Sequence, residues 1–147
     1  MRDERLSSQL ITLKIVKKKN CSFGSHLMID GYGGDSKKLN DKERIIKCLN
    51  ELPTKLGMTK IIKPVIKYYK GNDKKDPGGY SAFVMIAESH ISIHTFPEKK
   101  FVSIDAYTCS DQIDKKFVVN YFTKQFGLKE IELNYVKRGM KYPIAEL

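Results

Sequence analysis

The chain has 147 residues, 41% of them hydrophobic, which is enough for one domain with a real core. Its 3 cysteines are odd in number and show no close-spaced pairs, which sets aside a disulfide framework and a zinc site. The formal net charge of +10 comes in scattered lysine pairs and triplets, as at Lys17 to Lys19 and Lys99 with Lys100, a pattern of solvated surface that weighs against a nucleic-acid partner.

No apolar run approaches the ~20 residues that span a bilayer, and the start Met1 to Arg5 lacks the regions of a signal peptide. A cytoplasmic protein without a membrane partner is expected. Residues 1–24 read as an N-terminal extension in which Leu10 to Val16 can add an edge strand, and residues 25–147 read as a single domain. Ser25 to Tyr32 alternates as a strand and ends in Gly33 and Gly34. Asp41 caps a helix with Ile45, Ile46, Leu49 and Leu52 on one face, which Pro53 ends or kinks. Lys60 to Tyr69 reads as a strand, and the loop Gly71 to Gly79 as a surface connection.

Three strands follow closely. Ser81 to Ala87 is nearly continuous in apolar residues, the pattern of a strand buried on both faces. In the next strand His90, Ser92, His94 and Phe96 share one face, and Ile91, Ile93 and Thr95 the other. Phe101 to Cys109 sets Ser103, Asp105, Tyr107 and Cys109 against Val102, Ile104, Ala106 and Thr108. Asp111 or Asp114 caps a second helix with Ile113, Phe117, Val118, Tyr121 and Phe122 on its stripe, closed by Gly127, and Ile131 to Val136 is a last strand. The class is α+β, a largely antiparallel sheet with helices packed on one face.

Glu88 and Ser89, with His94 five positions on and Cys109 twenty positions on, carry the chemistry of the chain. Taken singly, each would be structural more often than catalytic. Together, over about Ser25 to Val136, they resemble the self-processing centre of the prokaryotic pyruvoyl-dependent S-adenosylmethionine decarboxylases. The resemblance implies a two-layer sandwich that pairs as a homodimer, with sites at or near the interface. It implies a cut between Glu88 and Ser89 that yields a β chain (1–88) and an α chain (89–147). Ser89 would become a pyruvoyl group, a covalent pyruvate that forms a Schiff base with the substrate and stands in for pyridoxal phosphate.

By position His94 matches the processing base, Ser81 a processing hydroxyl, and Cys109 the proton donor, for which the structural alternative is core packing. Cys21 and Cys48 match no position of the motif. Glu98 matches an acid that holds ribose hydroxyls, and Phe96 stands where tryptophan is more usual. The implied substrate is S-adenosylmethionine, and the implied product the aminopropyl donor of spermidine synthesis. One departure precedes Ser81: the stretch Lys74, Lys75, Asp76 and Pro77 has no ring where the family stacks adenine. That leaves arginine or ornithine as an alternative substrate, with Asp76 pairing its distal cation. An unprocessed regulatory homologue is the remaining alternative.

Overall fold

The computed structural model describes residues 22–72, 75–110 and 112–143. The expected strand Leu10 to Val16, Cys21 and Asp111 lie outside them. Six strands among the described residues form one antiparallel sheet: β1 (Gly24–Tyr32), β2 (Val65–Tyr69), β3 (Gly79–Ile86), β4 (Ser89–Phe96), β5 (Phe101–Thr108) and β6 (Glu130–Arg138). Their spatial order is β2-β3-β4-β5-β1-β6.

Alternation decides which face is covered. Leu27, Ile29, Ala82, Val84, Ile86, Ile91, Ile93, Val102, Ile104 and Ala106 are all buried beneath two helices, α2 (Lys42–Lys55) and α3 (Lys115–Phe126). Both helices start as read: Asp41 accepts from Arg44 N–H and Asp114 from Phe117 N–H. Gly127 closes α3 at φ 65°, a left-handed position that glycine takes without strain. α2 runs two residues past Pro53, which sits in its last turn. A one-turn helix, α1 (Ser36–Leu39), capped by Asp35, was not read from the sequence. Phe122 and Phe126 stack with centroids 6.1 Å apart and fill the space under α3.

Two expectations are corrected. Ser81 to Ala87 is not buried on both faces, because Phe83 and Met85 stand 40% and 42% exposed on the uncovered side. Lys60 to Tyr69 is not one strand. Pro64 cannot donate to a ladder, and only Val65–Tyr69 pairs with β3, while Lys60 makes a lone bridge to Ile86.

The helix-free face carries His26 and Met28 of β1, Ser81, Phe83 and Met85 of β3, His90, Ser92 and His94 of β4, and Ser103, Asp105 and Tyr107 of β5. All 3 histidines of the chain lie on it.

Candidate active site

Register brings Ser81, His94 and Ser103 into one row across β3, β4 and β5. His94 Nδ1 lies 3.0 Å from Ser81 Oγ, within hydrogen-bond reach. The half-buried imidazole is thereby oriented on an open face, where it can exchange a proton with an incoming group.

At the other end of β4, Ala87 and Glu88 form the two-residue turn that joins it to β3. Ser89 follows with φ 144°, a region that residues bearing a Cβ rarely adopt. Such a residue holds about 1–3 kcal/mol of strain. The strained torsion lies about the N–Cα bond directly after the Glu88–Ser89 peptide. Cys109, one residue past β5 rather than inside it, donates its backbone N–H to the Glu88 carbonyl at 2.8 Å. Its side chain is exposed, which removes core packing as its role.

These are two clusters, not one. Ser81 and His94 are together, and so are Glu88, Ser89 and Cys109. Five residues of strand separate Ser89 from His94, about 16 Å at ~3.3 Å per residue.

Beyond His94 a cleft of about 570 Å³ opens, lined by Tyr32, Lys75, Asp76, Phe96, Lys99 and Phe101 among others. Three rings stand in a row there: Tyr32 and Phe101 have centroids 5.3 Å apart, Phe96 and Phe101 5.5 Å. Tyr32 and Phe101 were not singled out from the sequence, although strand alternation puts both on this face. Asp76 accepts Gly78 N–H at 2.8 Å and so steadies its own loop. Glu98 is exposed on the single turn Pro97–Lys99 beside the cleft.

Deeper on the face, His26 Nε2 lies 2.7 Å from Asp105 Oδ1, and the Arg138 guanidinium sits 4.2 Å above the Tyr107 ring. Cys48 and Tyr121 are on the helix side; burial pushes the Cys48 thiol up to about 11 and raises Tyr121 as well.

Residues 25–139 match the family model described as S-adenosylmethionine decarboxylase. The chain belongs to that family. It is 33% identical over 125 residues to the S-adenosylmethionine decarboxylase proenzyme of Clostridium kluyveri, covering 85% of this chain and 94% of the relative. It is 35% identical over 116 residues to the proenzyme of the same name from Clostridium botulinum, covering 79% and 94%. Among solved structures, the adenosylmethionine decarboxylase from Aquifex aeolicus is 33% identical, with a TM-score of 0.64 over 80% of this chain and 92% of that one. The decarboxylase family therefore accounts for the fold.

Proposed function

We propose that this chain is an S-adenosylmethionine decarboxylase, a carboxy-lyase made as a proenzyme that cuts its own backbone between Glu88 and Ser89. The observation that carries the cut is the strained Ser89 beside an acyl carbonyl already held by the Cys109 N–H.

Ser89 Oγ attacks the Glu88 carbonyl carbon, and a base takes the hydroxyl proton. Negative charge then grows on the Glu88 oxygen, where the Cys109 N–H already points. The C–N bond breaks, the nitrogen takes a proton, and an ester replaces the amide. That step also frees the Ser89 torsion, so the strain favours it. Removal of the residue 89 α-proton expels the Glu88 carboxylate, water adds to the unsaturated residue, and ammonia leaves. The residue types at 88 and 89, half-buried in a turn, fit the formation of such a group.

Residue 89 would carry the pyruvoyl group at the head of residues 89–147, and when formed that group would supply an electron sink for the breaking carbon–carboxylate bond. The chain's own groups do the rest. The exposed Cys109 thiol delivers a proton to the carbon that loses carbon dioxide. The tilted rings of Phe96, Phe101 and Tyr32 offer aromatic faces to adenine, and the Glu98 carboxylate can accept both hydroxyls of a ribose. Lys75 and Lys99 also line this cleft, together with Asp76, and their ammonium groups can donate to the acceptor nitrogens of a purine.

The base remains to be supplied. His94 is the imidazole with a hydroxyl partner, yet it stands about 16 Å along β4 from its own Ser89. A homodimer packed through the helix-free faces resolves this, because a two-fold axis near the middle of β4 would carry the partner subunit's His94 to Ser89. The apolar Val65, Phe83, Met85 and Val136, all 40–46% exposed on that face, support its burial by a second copy.

Intact mass under denaturing conditions, followed by carbon dioxide release, tests the proposal. Two fragments split between Glu88 and Ser89, the C-terminal one with a blocked end, together with release from S-adenosylmethionine but not from arginine or ornithine, are expected. A single uncut chain, or release from a basic amino acid, would overturn it.

A further inference from the structure

Two-residue turns between antiparallel strands are normally built on Asn-Gly, Asp-Gly or another glycine pair. Ala87–Glu88 has neither, and the residue after it is strained. Something outside the turn must hold it.

The segment between α2 and β2 does so. Thr59 O accepts the Ala87 N–H at 2.8 Å, and Ile61 N–H donates to Met85 O at 2.9 Å. Lys60 bridges Ile86, and its Nζ donates to Asn50 Oδ1 of α2 at 3.0 Å, which ties the segment to the helix layer. The remaining donor, Thr59 N–H, is directed at the Glu88 carboxylate, 3.1 Å from Oε2 and 3.4 Å from Oε1. Glu88 is thus gripped on two flanks: Thr59 holds its side chain, Cys109 its backbone carbonyl.

We infer that the Glu88 carboxylate is a positioning group for self-cleavage, docked on Thr59 N–H so that the Glu88 carbonyl carbon faces Ser89 Oγ. The inference rests on the reading of Glu88–Ser89 as the cut. The carboxylate takes no part in the bond changes; it fixes the turn in which they occur. Both partners of this contact belong to residues 1–88, so it survives the cut. The new C-terminus then stays moored against Thr59 instead of moving into the space where substrate enters.

The test compares self-cleavage rates of the full chain, Glu88→Ala and Glu88→Gln, each released from cell-free synthesis and followed by denaturing mass spectrometry. An acceptor on the Thr59 N–H that orders the reacting turn predicts at least about tenfold slower cutting for Glu88→Ala. Glu88→Gln keeps an oxygen that can accept the Thr59 N–H and should cut within about threefold of the parent. A merely structural role is read separately, in the uncleavable Ser89→Ala background. There, adding Glu88→Ala should move the melting temperature by less than about 2 °C. Parent-like cutting by Glu88→Ala, equal slowing by Gln and Ala, or a larger loss of melting temperature would overturn the inference. A parent chain that never cuts would instead sink the self-processing reading itself, so the two failures are distinguishable.

Discussion

Mixing two inactive variants decides how the site is assembled. Ser89→Ala removes the nucleophile and leaves His94 intact; His94→Ala removes the imidazole and leaves Ser89 intact. Within one chain these groups stand about 16 Å apart along β4, far beyond the ~3 Å needed for proton transfer. Neither variant alone should cut. In a mixed dimer one of the two sites receives Ser89 from the His94→Ala chain and His94 from its partner. Random pairing of equal amounts places about half of the His94→Ala chains in such dimers, so one round of exchange should cleave about half of them. The assay is co-refolding followed by denaturing mass spectrometry, in which the two variants differ in mass. Fragments would arise only from the His94→Ala chain. Absence of cleavage in the mixture, with dimers present by light scattering, would refute assembly across two copies. Rapid cutting by His94→Ala alone would refute the imidazole as the base.

Two further outcomes follow from single positions. Cys109→Ala keeps the backbone N–H that faces the Glu88 carbonyl, so self-cleavage should continue within about threefold while carbon dioxide release falls about 10²-fold or more, read as fragment formation against turnover. Cys48, fully buried, has its thiol pushed from 9.0 up to about 11, so the folded state binds a proton that the unfolded state releases first. The thiol's contribution to stability is therefore full below pH 9 and falls by about 2 kcal/mol as pH rises from 9 to 11. Urea unfolding of the Ser89→Ala chain at the two ends of that interval measures it, and Cys48→Ala, lacking the thiol, should lose correspondingly less.

Where side chains alternate between a wet and a dry face, the sequence was readable: β4 and β5 show the expected split of His90, Ser92 and His94 from Ile91 and Ile93. The helix starts at Asp41 and Asp114 were readable for a local reason, a side-chain oxygen within three residues of an orphan N–H. β3 misled because Phe83 and Met85 are apolar yet face outward. A hydrophobic residue reports that it will be covered, not whether its own chain or a second copy does the covering. The candidate site was read from the sequence as a set of residues, without the geometry that relates them. Order along the chain supplied Glu88, Ser89, His94 and Cys109, whereas the extended form of β4 sets His94 far from Ser89. The Thr59 and Cys109 donors are main-chain N–H groups, which no side-chain pattern announces. The rings of Tyr32 and Phe101 meet only because β1 and β5 are neighbours in the sheet, a pairing between segments about seventy residues apart.

The strand order has a consequence for the life of the molecule after the proposed cut between Glu88 and Ser89. β1, β2 and β3 precede Ser89; β4, β5 and β6 begin with it or follow it. In space β3 borders β4, and β1 is inserted between β5 and β6, so the two pieces share three hydrogen-bonded seams. Neither piece holds a continuous sheet of its own. The chain would therefore have to fold before such a cut, and once cut it would resemble a zipped pair of strands whose connecting thread has been removed. Unfolding before the cut is reversible at any dilution, because one polymer finds itself. Afterwards, recovery needs two molecules to meet, and the loop-closure advantage of a single chain is gone. Maturation by that cut would thus act as a ratchet, and an enzyme lost to denaturation would be replaced by new synthesis more readily than by refolding.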